Sequence, residues 1–76
     1  MTESEWRKIF ADRLSVMMMY SNITRRGLIR ALGISESGLS YYLSGRKTPS
    51  FKVIVNLAYT LGCTIEDLID FGEQIM

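Results

Sequence analysis

The run Thr24-Arg25-Arg26-Gly27-Leu28-Ile29-Arg30-Ala31-Leu32-Gly33-Ile34-Ser35-Glu36-Ser37-Gly38-Leu39-Ser40-Tyr41-Tyr42-Leu43-Ser44-Gly45 decides how this chain folds. Thr24 is placed to cap a short helix, since its hydroxyl can accept from an otherwise unpaired amide of the first turn. Leu28, Ile29 and Leu32 mark the inner face of that helix. Gly33 ends it, as a residue free to take a positive φ. Gly27, inside it, is expected to cost up to about 1 kcal/mol relative to alanine. Ile34 then supplies the apolar residue of the turn, and Ser35 caps a second short helix that runs through about Ser44 and stops at Gly45. The two helices must cross closely, with Leu28, Leu39 and Leu43 filling the joint. Two short helices around a glycine-containing turn define the helix-turn-helix, whose second helix enters the DNA major groove.

Outward from this centre the remaining turn signals are also spaced for helices, and no run alternates as a half-buried strand would. A first helix begins near Thr2 or Ser4, where Thr2 and Glu5 fit a capping box. Trp6, Ile9, Phe10, Leu14, Met17 and Met18 form its apolar stripe. At least two of Met17, Met18 and Met19 are expected to fill core gaps, and Asn22 is expected to close the helix in the left-handed region. After the loop Arg46-Lys47-Thr48-Pro49, Ser50 caps a fourth helix through Leu61, with apolar positions at Phe51, Ile54, Val55, Leu57, Ala58 and Leu61. Gly62 is the next stop. Thr64 with Asp67 starts a fifth helix through about Phe71, with Ile65, Leu68 and Ile69 facing inward. The expected fold is all-α: one compact five-helix domain over residues 1–76, without interior linker, repeat or low-complexity tract.

Composition removes several function classes. The 76 residues are 47% hydrophobic, with one cysteine and no histidine. Cys63 alone cannot form an internal disulfide and reads as a small buried or half-buried filler. A structural zinc site and histidine acid–base chemistry are not expected, nor is any cofactor, metal or small-molecule ligand. Nothing resembles a nucleophile–base pair or a phosphate loop, so an enzyme is not expected. The longest uncharged stretch, Val53 to Ile65, is shorter than the ~20 apolar residues of a membrane span, and no secretory signal is visible. A cytoplasmic setting in the producing cell is expected.

The formal net charge of +1 hides an uneven distribution. Residues 25–52 carry Arg25, Arg26, Arg30, Arg46, Lys47 and Lys52 against Glu36 alone, a net +5, whereas residues 53–76 carry −4. A local field rather than the total attracts a polyanion, although such segments can also be ordinary solvated faces.

Taken in order, Leu28 through Gly33-Ile34-Ser35, Leu39-Ser40, Ser44-Gly45, Pro49-Ser50, Leu57-Ala58 and Leu61-Gly62 resemble the phage-repressor helix-turn-helix family, the group of Cro and the lambda-type repressors, also called XRE-like. The resemblance covers about residues 10–71. It implies a lambda-repressor-like fold and sequence-specific binding to a double-stranded DNA operator, with base-reading positions at Glu36, Ser37, Ser40 and Tyr41. Glu36 also has a plain role as a first-turn carboxylate on the helix dipole. Tyr42 is expected in the core. Phosphate contacts are implied at Arg25, Arg26, Ser44, Arg46, Lys47 and Thr48. Arg30 and Lys52 read as solubilising charges. The chain departs from the family in two places. Arg25 stands where glutamine usually steadies the reading helix and touches phosphate, and Ile29 stands where alanine is common at the crossing.

A single short helix reads few base pairs, so the resemblance implies a homodimer on paired half-sites and a transcriptional regulator of the repressor type. Ile65, Phe71, Ile75 and Met76 could form the dimer seam or fold back over Trp6. A different class stays open: a protein-interaction module, such as an antitoxin or accessory subunit, that uses the acidic C-terminal segment.

Overall fold

The structure is a computed structural model that describes residues 2–69. Its five helices are α1 (Glu3–Ser21), α2 (Arg25–Leu32), α3 (Glu36–Leu43), α4 (Phe51–Leu61) and α5 (Ile65–Ile69). Each begins on a hydroxyl side chain that accepts from the amide three residues on. Thr2 Oγ1 takes the Glu5 N–H, Thr24 Oγ1 that of Gly27, Ser35 Oγ that of Gly38, Ser50 Oγ that of Val53 and Thr64 Oγ1 that of Asp67. At α1 the capping box is complete, because Glu5 Oε1 accepts from the Thr2 backbone at 3.1 Å. Asp67 Oδ2 does the same for the Thr64 amide at 2.9 Å, so α5 opens in the same reciprocal way. These bonds satisfy amides that a helix start leaves without intrahelical partners.

The stops also follow the local chemistry. Asn22 closes α1 at φ 61° and Gly33 closes α2 at φ 67°. The fifth helix was expected to reach about Phe71; it is described as far as Ile69, and Phe71, Ile75 and Met76 lie outside the described residues. The third helix ends at Leu43 rather than Ser44, which stands just beyond it as a cap.

The core is built from Phe10, Leu14, Leu28, Leu39, Ile54, Leu57, Ala58, Leu61 and Leu68, contributed by all five helices. Half-buried Trp6, Met17, Met18, Tyr42, Cys63, Ile65 and Ile69 pack around it. Met19 is 80% exposed, so two of the three consecutive methionines fill the core and the third does not. Trp6 stacks on Phe10 with ring centroids 5.6 Å apart. Burial raises the Cys63 thiol pKa, with the nearby Asp67 charge acting in the same direction. The thiol therefore stays protonated at neutral pH, in keeping with its filler role.

The apolar positions of α4 divide between two sides of the helix. Ile54, Leu57, Ala58 and Leu61 face the core, but Phe51 and Val55 do not, at 67% and 38% exposed. Val53 packs against the core instead. Two helices, α2 and α5, pack along α4, with α1 touching it more lightly, and they cover its inner side alone. Helix α5 is tied to α1 by Arg13, whose Nε donates to the Asp67 carbonyl at 2.6 Å. A basic group on the last carbonyls of a helix satisfies acceptors that have no intrahelical donor. Among the described residues no helix is long and apolar enough to cross a membrane.

Candidate nucleic-acid interface

The α2–turn–α3 unit leans on the core through Leu28 and Leu39, both fully buried. With Leu39 turned inward and Tyr42 and Leu43 half-buried, the opposite face of α3 is left to solvent. Glu36, Ser37 and Tyr41 are exposed on it, and Ser40 is half-buried beside them. Residues one, four and five apart on a helix share a face, so the four expected base-reading residues do come together.

Arg25 departs from the expectation of a phosphate cation alone. Its Nη2 donates to Glu36 Oε1 at 2.7 Å and to Ser40 Oγ at 2.6 Å, and its Nε reaches Glu36 Oε1 at 3.3 Å. The first residue of α2 thus grips both the first and the fifth residue of α3. Geometrically this is the steadying position that the family's glutamine occupies, filled here by a charged pair. Arg25 and Glu36 cancel locally, and each is substantially solvent-exposed. An exposed pair of this kind contributes little stability, so its main effect is on orientation.

The other end of α3 is held by the loop that follows. The Tyr41 carbonyl accepts from the Arg46 and Lys47 amides at 3.0 and 3.3 Å. The Arg46 guanidinium lies 5.9 Å from the centroid of the Tyr41 ring, a cation–π distance. Ser44 Oγ donates to the same Tyr41 carbonyl at 3.3 Å. Lys47 and Arg26 are exposed and make no ion pair among the described residues. Thr48 is half-buried and lines a shallow depression with Thr2, Glu3 and Trp6 at the start of α1. The six expected phosphate-contacting residues therefore divide. Arg26 stands at the start of α2, and Ser44, Arg46 and Lys47 lie at the end of α3. Arg25 is engaged within the protein, and Thr48 sits against α1.

Two contributors were missed in the sequence. Arg7 Nε donates to the Gly45 carbonyl at 3.2 Å while its Nη1 meets Glu3 at 3.2 Å. This braces the end of α3 against α1. Gly45 adopts φ 76°, and a Cβ there would stand 3.5 Å from the Lys8 Cα, so the α1 backbone passes directly beside the loop. Lys8 thereby joins the neighbourhood of Arg46 and Lys47. No local signal identifies these two residues, because they are 37 or 38 positions from Gly45.

No group of three or more acidic, cysteine or histidine side chains that could hold a metal occurs among the described residues. The surface offers hydroxyls, one carboxylate and an aromatic edge between two sets of cations, a composition suited to a polyanion with hydrogen-bonding edges.

A family model for the Cro/C1-type HTH DNA-binding domain matches residues 13–74. No curated protein gives a match. Among solved structures, a hypothetical transcription factor NHTF from Neisseria superposes with a TM-score of 0.78 at 18% identity, covering 100% of this chain and 91% of that one. At that identity the likeness is one of fold.

Proposed function

The chain belongs to the Cro/C1-type HTH DNA-binding family, and from that premise we propose that it is a sequence-specific transcriptional repressor. In this reading α3 enters the major groove of an operator. Ser37, Ser40, Tyr41 and Glu36 meet base edges, while Arg26, Ser44, Arg46, Lys47 and Lys8 meet phosphates on either side. Arg25 orients α3 and can still approach a phosphate at the N-terminus of α2. The protein acts in the cytoplasm as a homodimer on paired half-sites and blocks promoter access by occupancy.

One observation carries the reading. The exposed face of α3 is polar and is flanked by Arg26 at one end and Lys47 at the other, exposed cations that make no ion pair among the described residues. A solvated surface helix has no need for that arrangement, whereas a helix seated between two phosphate strands does.

The test is duplex binding across a salt series, with the preferred sequence first selected from a random pool. Affinity should fall steeply with salt, with a log–log slope of about −0.9 for each phosphate contact. Lys47→Ala should weaken binding to all sequences alike and reduce that slope by about 1, whereas Ser37→Ala should relax preference at one base position. An affinity no better than the ~10⁻⁴ M non-specific floor at moderate salt would sink the proposal.

A further inference from the structure

Of the side chains on the exposed face of α3, two have their hydrogen-bonding sense fixed by Arg25. Its Nη2 donates to Glu36 Oε1 at 2.7 Å and to Ser40 Oγ at 2.6 Å. Arginine has donors only, so both partners accept. Ser37 is exposed and its hydroxyl has no partner among the described residues. We propose that the Arg25 grip makes Glu36 and Ser40 probes of opposite sense, so that the preferred duplex carries cytosine opposite Glu36 and excludes cytosine opposite Ser40. The inference rests on the DNA-binding reading above and adds to it the chemistry of the edges that are chosen.

Glu36 is the accepting probe. Its Oε1 takes protons from both Nε and Nη2 of Arg25, at 3.3 and 2.7 Å, while Oε2 has no partner among the described residues. The side chain is 66% exposed, which leaves Oε2 open to a base edge. A carboxylate offers acceptors only. In the major groove, amino protons are shown by cytosine at N4 and adenine at N6. Adenine sets the N7 lone pair beside its amino group, guanine shows lone pairs at N7 and O6, and thymine shows them at O4. Cytosine alone shows a donor with no acceptor on the same base. The choice therefore comes from repelling three bases as well as attracting the fourth.

Ser40 is the donating probe. A hydroxyl that rotates freely donates or accepts, and Ser37 has that freedom. The Ser40 oxygen instead faces the guanidinium charge, which turns the hydroxyl dipole so that its proton lies on the far side. That proton has no acceptor among the described residues. It suits an edge with a lone pair, which guanine, adenine and thymine have and cytosine lacks. Glu36 and Ser40 are four residues apart, about 6 Å along the helix, so the two positions lie within about two base-pair steps. Arg25 is the positioning residue for both. Without it Glu36 is a mobile carboxylate and Ser40 a free rotor.

The experiment selects duplexes from a random pool with wild type and with Glu36→Gln, Arg25→Ala, Ser40→Ala and Ser37→Ala. Affinity is then measured on duplexes that carry each base in turn at the selected positions. Wild type should favour cytosine at one position by a factor of about 5–150. Glu36→Gln should move that preference to adenine, whose N6 and N7 a carboxamide meets with both of its groups. Ser40→Ala should remove the exclusion of cytosine at its own position alone. Arg25→Ala should bring discrimination near one at both positions, and leave intact the preference that Ser37→Ala alters. A purely structural role for Arg25 would weaken binding to every sequence and keep the order of bases. Glu36 and Arg25 are both exposed, so these substitutions leave the core untouched. A preferred duplex without a Glu36-dependent cytosine, an unchanged preference in Glu36→Gln, or full discrimination at both positions in Arg25→Ala overturns the proposal and leaves the DNA-binding reading standing. Duplex binding without any base preference, or no duplex binding at all, overturns both.

Discussion

Helices α3 and α4 start alike and are held differently. Both open on a serine in extended backbone, Ser35 and Ser50, whose hydroxyl accepts from the third amide of the helix. Helix α4 then buries four side chains, whereas α3 buries Leu39 alone. What α3 lacks in burial it gains in polar ties from distant parts of the chain. Arg25 grips its start, and Arg7 braces the loop at its end. A helix that must leave a face free for an outside partner gives up part of its apolar stripe. Exposed polar bonds cannot replace that burial in energy, but they fix the angle at which the helix is presented.

The largest effect that tests this contrast is in the core. Leu39→Ala and Leu57→Ala each remove a fully buried side chain and should cost roughly 2–5 kcal/mol in urea unfolding. The two should differ in their native-state amide exchange. Loss of Leu39 removes the one buried anchor of α3, so α3 amides should open locally while α4 stays protected. Equal protection of both helices in Leu39→Ala would break the comparison.

The caps come next. Ser35→Ala and Ser50→Ala should each cost about 0.5–2 kcal/mol. Similar stability losses with a duplex-affinity loss confined to Ser35→Ala would show that α3 alone is presented to DNA. Arg25→Ala should cost less than about 1 kcal/mol of stability, because the pair it breaks is exposed, and the loss should shrink as salt rises. Its effect on affinity for the selected duplex should exceed its effect on stability, and the opposite order would remove the orienting role.

The smallest effect is on pH dependence, and it spares both helices. Neither α3 nor α4 has a carboxylate in its cap; α1 and α5 do. The backbone amide and hydroxyl of Thr2 hold the Glu5 pKa below its ordinary 4.5, and those of Thr64 hold Asp67 below 3.8. Each carboxylate therefore adds stability above the ordinary carboxylate range, and that stability is lost as pH falls through the lowered value. Thermal unfolding from pH 7 to 2.5 should show a decline below about pH 4.5 that is shallower in Thr2→Val and Thr64→Val. A decline of unchanged depth in both variants would place its source elsewhere.

These differences also separate what could be read in the sequence from what could not. The caps at Thr2, Thr24, Ser35, Ser50 and Thr64, and the stops at Asn22 and Gly33, were legible because each acts within three or four residues. The exposed face of α3 was legible for a related reason, since Leu39 fixes which side is inward and the helical repeat does the rest. The outward turn of Phe51 and Val55 was not, because an apolar side chain on a helix is buried only if another element covers it. The fold places α2 and α5 on one side of α4 and nothing described on the other. Nor was the Arg25 grip legible, since it spans 11 and 15 positions and depends on how steeply α2 crosses α3. The bulk of Ile29 does not prevent that approach, because Ile29 packs half-buried against the core.

The run of local caps also bears on time. Every described helix carries its own start signal within a span of four residues, so the unfolded chain needs no distant contact to know where to begin. Helical domains dominated by local contacts reach the native state in microseconds to milliseconds. Synthesis at about 5–20 residues per second occupies several seconds for a chain of this length. Maturation adds no appreciable delay after release from the ribosome, so the amount of working protein follows its production rate and removal almost without lag.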